Sequence, residues 1–335
     1  MRLEGLRLGM SLCAVATWTF AVGPCSLLCA SDLPVMAASG TVRIPHDFGG
    51  KRSPDWSGGA LIQIDDGGPV TTIQGFDKQG QMVVNLTFSV PDSRMTQISG
   101  YARASDGSLA LSGTAYSGNS QVAAFLAWIS PDGKRVRIVR TSPFYPYRTA
   151  FAADGTIWTA GWEIVDGVEV NPDHNMVRRF DRDGNLLGAF IPKSSVTTYG
   201  KHKHPAYLSY LLSSSDRIGW LSPTARQYIE FSPDGHITSR FQTSEVSGNM
   251  KLRGAGLCDD GGLYLSTVSM GKPPRNWQLL TLDRVSGKWA PVALDSPDGL
   301  QPHTLPIYAC DGSSLVTTLT GHSAELTWLS PKISR

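Results

Sequence analysis

The amino-acid sequence predicts an all-β fold built from one repeated unit, and three observations support this prediction. A turn phrase with an aspartate shortly before a glycine recurs, and its closing glycines lie 51 to 53 residues apart, at Gly80, Gly133, Gly184, Gly235 and Gly287. A period this regular indicates that one supersecondary unit is repeated. Charged residues make up only 17% of the chain and glycines number 35, as is typical of many short strands joined by turns. The chain after its N-terminal segment shows no convincing helical period.

Each repeat carries a second turn phrase ahead of the first one, with short β-rich runs on either side. Examples are Ala104–Gly107, Ala152–Gly155 and Cys258–Gly261. Asp-Gly between such runs favours a hairpin, because glycine accepts the positive φ that tight turns require. Each unit is therefore predicted to contain two hairpins, and its four strands are called A to D here.

Four antiparallel strands repeated about every fifty residues match the blade of a β-propeller, in which each small sheet packs both faces against its neighbours. The sequence places four full blades at 98–141, 146–192, 206–243 and 252–295.

The first and last units look incomplete. Residues 46–90 form only a partial blade, because Ala60–Ile64 is the one clear strand before residue 70. The last unit begins at His303 and supplies strands A to C, but the sequence has no strand D after them. Gly40–Ile44 resembles a detached outer strand, and we expect it to complete the last blade and close the ring. The count is then six blades, with seven as the alternative.

The phrases Phe-Asp-x-x-Gly and Asp-Gly-x-Leu/Ile resemble those of NHL-type and TolB-like six-bladed propellers, which occur in many exported bacterial proteins. The resemblance lies in the spacing of these turn phrases over residues 40–331, and it is specific to the architecture. Such families include lyases, lactonases, sugar dehydrogenases and binding scaffolds. The resemblance therefore implies a fold and leaves the function open.

Residues 1–30 have the features of a signal peptide. Two arginines precede an apolar segment, and no charged residue occurs from Leu8 to Ser31. Small residues offer cleavage positions between 28 and 38. The sequence thus predicts a single propeller domain at 40–331 in an exported protein, periplasmic or secreted. If the segment is not cleaved, it is long enough to anchor the protein in a membrane.

Removal of the signal peptide would leave two of the five cysteines, Cys258 and Cys310. Each lies directly before an aspartate, at a corresponding position of its repeat. The oxidising conditions that an exported chain meets favour a disulfide between the two units. However, equivalent points on adjacent units are expected to lie too far apart for the short Cα separation of a disulfide. Two free buried thiols are the preferred expectation.

The charge balance limits the classes of partner. Thirty basic and 28 acidic side chains leave a net charge of +2. A nucleic-acid-binding protein needs a concentrated basic surface, so nucleic acid is excluded as a partner. We expect a monomer that binds a protein, a peptide or a glycan, and that contacts a membrane only if the N-terminal segment is retained.

The order of the strands divides the connections between two rims. The A-to-B and C-to-D turns share the turn rim, made of short Asp-Gly turns, whereas the B-to-C and D-to-A connections share the long-loop rim. Binding residues concentrate in loops on a rigid scaffold, so the long-loop rim is the expected site. Arginines there could hold an anion, and aromatic rings could stack on a sugar or a peptide. The candidate ligand-binding residues are Arg148, Trp162, Arg253, Tyr147 and Trp277.

Histidines of the long-loop rim offer a different chemistry. His174 could act as a general acid or base beside Glu163, although its turn-rich segment also favours local hydrogen bonds to the backbone. His202 and His204 can point to one side of an extended segment, and with His303 they are the candidate metal ligands. The lysines that flank them repel a cation. We therefore expect no cofactor, and a divalent metal only in the alternative function.

No recognisable catalytic motif accompanies these residues. The leading hypothesis is an exported, non-enzymatic propeller that binds a peptide, glycan or protein on the long-loop rim. The alternative is a propeller enzyme, a lyase or lactone hydrolase, that uses His174, Glu163 and another histidine of the same rim.

Overall fold

The computed structural model describes residues 34–44, 46, 54–118, 122–165, 168–197, 205–206, 208–243, 250–269, 277–295, 307–320 and 324–332. Within these ranges the secondary structure consists of 26 β-strands and one short 3₁₀ helix, Lys193–Ser195. In the same ranges, no helix has the length and apolar character needed to cross a membrane. The all-β prediction is confirmed.

The strands form six sheets, which are the blades of the propeller. Blades 1 and 2 each consist of four strands that are consecutive in the sequence. Blade 1 consists of β2 (Asp55–Ser57), β3 (Ala60–Asp65), β4 (Thr71–Asp77) and β5 (Met82–Phe88). Blade 2 consists of β6 (Met95–Arg103), β7 (Leu109–Tyr116), β8 (Val122–Ile129) and β9 (Val136–Arg140). Blade 1 is therefore complete, and the expectation of a partial blade was wrong because β2 is too short to give a sequence signal.

The next three sheets repeat the same antiparallel order. Blade 3 consists of β10 (Phe144–Phe151), β11 (Ile157–Val165), β13 (Asn175–Phe180) and β14 (Leu186–Pro192), and the short β12 (Val168–Glu169) pairs with the end of β11. Blade 4 consists of β15 (Tyr210–Ser213), β16 (Ile218–Ser222), β17 (Gln227–Phe231) and β18 (Ile237–Gln242). Blade 5 consists of β19 (Met250–Leu257), β20 (Leu263–Ser269), β21 (Trp277–Asp283) and β22 (Lys288–Pro291).

Blade 6 joins the two ends of the chain. It contains β24 (Ile307–Asp311), β25 (Ser314–Thr320) and β26 (Ala324–Pro331), and its fourth strand is β1 (Val35–Ile44), antiparallel to β26. A fifth strand, β23 (Ala293–Asp295), pairs in parallel with the start of β1. The predicted closure of the ring by an N-terminal strand is confirmed. The protein is a six-bladed β-propeller, and the seven-blade alternative was wrong.

Hydrogen bonds between neighbouring blades show that the A-to-B and C-to-D turns share one rim. Arg182, in the C-to-D turn of blade 3, binds Asp106 in the A-to-B turn of blade 2 at 2.7 Å. Arg179 of blade 3 donates to the carbonyl oxygen of Asp234, in the C-to-D turn of blade 4, at 2.9 Å. The turns themselves depend on their closing glycines, as at Gly184, where φ is +85°.

Apolar side chains from facing sheets fill the space between blades. Trp158 of blade 3 and Trp220 of blade 4 are both fully buried in one cluster. The Trp158 ring stacks on Phe190, with centroids 5.2 Å apart, and lies 5.3 Å from the ring of Phe231 in blade 4. Each blade is therefore held mainly by packing against the next one around the ring.

Cys258 and Cys310 form a disulfide, with Cα atoms 5.1 Å apart. The expectation of two free thiols was wrong. Its premise was that equivalent points on adjacent units lie far apart, but β19 and β24 are the first strands of blades 5 and 6, and first strands converge at the axis. Gly256 shows how close they come, because a Cβ atom there would lie 3.0 Å from the Cys310 sulfur. The disulfide covalently joins blade 5 to blade 6.

Candidate functional site

The first strands of all six blades surround an axial cavity of about 610 Å³. Each of these strands, β2, β6, β10, β15, β19 and β24, is the terminal strand of its sheet order, so one of its edges has no strand partner. Backbone N–H and C=O groups along such an edge can bond water or a ligand only where the protein does not already use them, and on β6 the N–H groups of Ile98 and Arg103 donate to Asp66 and Ser57. The cavity volume lies within the range of about 300 to 1,000 Å³ that small-molecule sites occupy.

Arg148 lies on β10 and lines the cavity. Its Nε atom donates a hydrogen bond to the carbonyl oxygen of Ser209 at 2.8 Å. The guanidinium also lies over two aromatic rings, 4.6 Å from the ring centroid of Tyr147 and 5.7 Å from that of Tyr210. Contacts with cationic groups on aromatic faces are favourable. These contacts hold the Arg148 guanidinium in place, and among the described residues its terminal nitrogens have no hydrogen-bond partner.

Arg253 and Trp277 lie on blade 5 and also line the cavity. The Arg253 side chain is exposed and, within the described residues, has no hydrogen bond or salt bridge. Trp277 is the first residue of β21, which places it at the long-loop end. The structure therefore brings three of the five candidate ligand-binding residues, Arg148, Arg253 and Trp277, to one cavity.

The electrostatics of the cavity centre on Tyr210, the first residue of β15. Burial raises the pKa of the Tyr210 phenol to about 12, with the positive charge of Arg148 opposing the rise and the negative charge of Asp55 adding to it. Arg253 also opposes the rise. The phenol is therefore protonated at neutral pH and can donate a hydrogen bond.

Tyr147 and Trp162 lie beside the cavity and do not line it. Their rings contact each other, with centroids 5.3 Å apart and an interplanar angle of 34°. The sequence assigned both residues to loops, but Tyr147 lies within β10 and Trp162 within β11. The Tyr147 ring contacts the Trp162 ring on blade 3 and also packs against the Arg148 guanidinium. The aromatic pair therefore helps to position the arginine at the cavity.

His174 and Glu163 have separate partners. The His174 side chain is 1% exposed. Its Nδ1 donates to the carbonyl oxygen of Asn171 at 2.8 Å and lies 3.4 Å from a carboxylate oxygen of Glu169. Glu163 accepts a hydrogen bond from Arg178. The two catalytic candidates therefore contact different partners. His174 is buried, so a substrate cannot reach its side chain in this conformation.

The candidate metal ligands His202, His204 and His303 lie outside the described residues. In the part of the chain that the structure describes, no group of three or more histidine, cysteine, aspartate or glutamate side chains is arranged to hold a metal ion.

Sequence reasoning missed Tyr210 and Asp55. A signal was present for Tyr210, since it precedes Asp216 by the same offset as Arg148 precedes Asp154. No comparable signal existed for Asp55, because β2 has only three residues and its strand was not recognised.

The comparisons with known proteins agree with the fold. No protein-family model and no curated protein matches the sequence. A presumed exported protein from Bacteroides fragilis superposes with a TM-score of 0.51 at 9% identity, covering 89% of this chain and 99% of that one.

Two further solved structures have a similar fold at lower TM-scores. A member of the DUF4221 family from Bacteroides vulgatus gives a TM-score of 0.49 at 11% identity, over 89% of this chain and 98% of that one. A presumed TolB from Agrobacterium tumefaciens gives 0.42 at 15% identity, over 71% and 79% of the two chains. At such identities the similarity is one of fold, and function has to be argued from the site.

Proposed function

We propose that this protein is an exported binding propeller that holds part of a peptide, glycan or protein partner in the axial cavity, from the long-loop rim. The observation that carries the proposal is the convergence of Arg148, Arg253, Tyr210 and Trp277 on one cavity. Rigid strands position all four side chains, which favours binding because little conformational freedom is lost when a ligand enters.

Three observations support export. The N-terminal segment has the charge and hydropathy pattern of a signal peptide. The disulfide between Cys258 and Cys310 supports folding in an oxidising compartment, because reducing systems keep most cytosolic thiols free. The Bacteroides fragilis protein of similar fold is described as a presumed exported protein.

The proposal is non-enzymatic because the binding groups converge and the catalytic candidates do not. Arg148 and Arg253 line the same cavity, whereas His174 and Glu163 are each engaged by other side chains or by the backbone. Among the described residues, no contact favours the alternative function, a lyase or lactone hydrolase that uses His174 and Glu163.

Glycan and peptide arrays probed with the exported protein test the proposal. We expect ligands that bind the wild-type protein to be lost with Arg253→Ala and with Trp277→Ala, because both side chains line the cavity. Val285→Ala is the matched control, since Val285 is 98% exposed in a turn of the opposite rim. An array on which the wild type binds nothing, or on which the cavity variants bind as well as the control, would contradict the proposal.

A further inference from the structure

We infer that the outer edge of blade 2 binds an extended segment of a partner protein in which acidic and apolar residues alternate, and that this segment pairs with β9 as an added strand. The inference goes beyond the proposed function, because none of the described residues that line the axial cavity belongs to β9. Three properties of the edge carry it: its open backbone groups, its arginines and the different character of its two faces.

Strand β9 is the last strand in the sheet order of blade 2, and it pairs with β8 along one edge only. The carbonyl oxygen of Arg135 accepts a hydrogen bond from the N–H of Ser130, so the backbone groups of the odd-numbered residues point toward β8. Backbone groups alternate in direction along an antiparallel strand, so those of Val136, Ile138 and Arg140 point outward. Among the described residues, no hydrogen bond engages these outward groups, and they can bond an added strand.

The fold already carries an added strand outside another blade. In blade 6, the short strand β23 pairs in parallel with β1, on the side of β1 that faces away from β26. An outer edge of this propeller therefore has room for a further strand. Addition of a strand to an open sheet edge is also a recurring mode of peptide recognition.

The arginines of the edge have no carboxylate partner among the described residues. Arg135 and Arg137 are exposed. The Arg135 guanidinium lies 5.8 Å from the centroid of the Trp128 ring, and the Nε of Arg137 donates to the carbonyl oxygen of Asp183 at 3.2 Å. Their terminal nitrogens can therefore form charge-assisted hydrogen bonds with acidic side chains of a partner. By contrast, three arginines of the neighbouring blade 3 each bind a carboxylate: Arg178, Arg179 and Arg182.

The two faces of the edge differ in character. Arg137 lies opposite Trp128 in the register and Arg135 lies over the same ring, so both arginines share the face toward blade 3. Val136 and Ile138 lie on the other face, where Val136 is 49% exposed and Ile138 packs against the cluster between blades 1 and 2. Side chains of an added strand also alternate between faces, so acidic residues would meet the arginines and apolar residues would meet Val136 and Ile138.

The charge of the edge also selects against other strands. Like charges opposite each other destabilise strand pairing, so a second copy of the same edge is disfavoured. The outer strands of the neighbouring blades, β5 and β14, contain no charged residue. Selection for an acidic partner is therefore a property of blade 2 and not of those two neighbours.

Fluorescence anisotropy of a labelled peptide of four Glu-Val repeats tests the inference, with the exported protein at about 0.15 M salt, where charges more than about 8 Å apart are largely screened. We expect saturable binding of this peptide, weaker binding of a peptide in which four glutamates precede four valines, and no binding of a Lys-Val peptide. Methylation of alternate backbone nitrogens should abolish binding for one of the two alternate sets and spare the other, because only one set faces β9.

Arg137→Gln is expected to weaken binding of the Glu-Val peptide by up to about fivefold, the contribution of one opposite-charge pair across strands, and Arg135→Gln combined with Arg137→Gln by about threefold to twentyfold. Arg140→Gln is the matched control for Arg137→Gln. It removes the same charge from the same strand, but on the opposite face, so affinity should change by less than about twofold.

Arg135→Glu combined with Arg137→Glu is expected to reverse the preference, so that the Lys-Val peptide binds and the Glu-Val peptide does not. Unchanged circular dichroism spectra and unfolding temperatures show that each variant folds. This exchange of specificity distinguishes a paired strand from a loss of binding caused by altered folding.

The inference is overturned if the wild-type protein does not bind the Glu-Val peptide, if both methylated peptides bind equally, or if the double glutamine variant binds like the wild type. Heparin serves as a polyanion without an extended peptide backbone. If heparin and both acidic peptides bind with similar affinity, the edge is a general anion-binding surface and the strand inference fails.

Discussion

At the scale of single residues, Glu230 is a buried carboxylate that links two blades. It is 2% exposed on β17 of blade 4 and accepts hydrogen bonds from both terminal nitrogens of Arg284 in blade 5, at 2.9 and 2.7 Å. The Tyr228 hydroxyl donates a third bond at 2.8 Å. Burial acts to raise the pKa of the Glu230 carboxyl, but the hydrogen bonds from Arg284 and Tyr228 outweigh it, and the net pKa is lowered.

Glu230→Gln is expected to lower the free energy of unfolding at pH 7 by about 3 kcal/mol, because it leaves Arg284 without its countercharge. The lowered pKa of the folded state means that this stabilisation is fully present above the ordinary carboxyl pKa of 4.5 and is lost as the pH falls through the folded-state pKa. Urea denaturation at pH 7 and at acidic pH measures the difference, which should shrink in acid.

Glu325→Gln is the control for this substitution, because Glu325 is an exposed residue of β26. Its stability should change by less than about 0.5 kcal/mol at either pH. A Glu230→Gln protein with wild-type stability at pH 7 would show that the inter-blade ion pair contributes nothing.

At the scale of elements, β1 determines whether blade 6 is complete. Met36 and Ile44, at its two ends, are 1% and 0% exposed, and they pack into two different clusters of the ring. Burial of these two side chains alone contributes about 3 to 6 kcal/mol. Without β1, the edge of β26 would also be open to association with other chains.

A chain that starts at residue 46 is therefore expected to unfold at a markedly lower temperature than one that starts at Pro34, and to aggregate. Differential scanning calorimetry and gel filtration measure both effects. A synthetic peptide of residues 34–44 added to the shortened chain should restore part of the lost stability. Equal unfolding temperatures for the two chains would contradict the assignment of β1 as the closing strand.

At the scale of the whole molecule, the disulfide fixes one of the six junctions of the ring covalently. Cys258 and Cys310 are 52 residues apart, and a crosslink of that span restricts the unfolded chain by about 4 kcal/mol on the loop-entropy model, although measured values are often smaller. The other junctions that the structure describes depend on non-covalent contacts, which are packing, hydrogen bonds and ion pairs such as Arg284–Glu230.

Replacing both cysteines by alanine is expected to lower the free energy of unfolding by about 2 to 4 kcal/mol. Dithiothreitol should lower the unfolding midpoint of the wild-type protein and leave that of the double variant unchanged. A wild-type midpoint that is insensitive to full reduction would show that the crosslink does not limit opening of the ring.

Much of the architecture could be predicted from the sequence because its signals are local. Asp-Gly turns such as Asp154-Gly155 mark hairpins within a few residues, and their spacing gives the repeat. Closure by the N-terminal strand followed from a missing strand D. The strand β2 was not predicted, because three residues are too few to show the alternation of apolar and polar side chains that marks a strand.

The candidate site was less predictable because it depends on distances across the ring. Arg148 and Arg253 were predicted as anion-binding residues of the long-loop rim, but whether they line one cavity with Asp55 and Tyr210 depends on how the six first strands converge. The same convergence brings Cys258 and Cys310 together, and no local pattern reports it.

The pairing of β1 with β26 also constrains when the protein can fold. Ser39 of β1 hydrogen-bonds Trp328 of β26 across 289 positions of sequence, so this contact is among the most non-local in the molecule. Contacts of such high contact order form late and slowly. During synthesis, β1 leaves the ribosome first and has no partner until the final sheet follows it. The ring therefore stays open while the chain is still emerging.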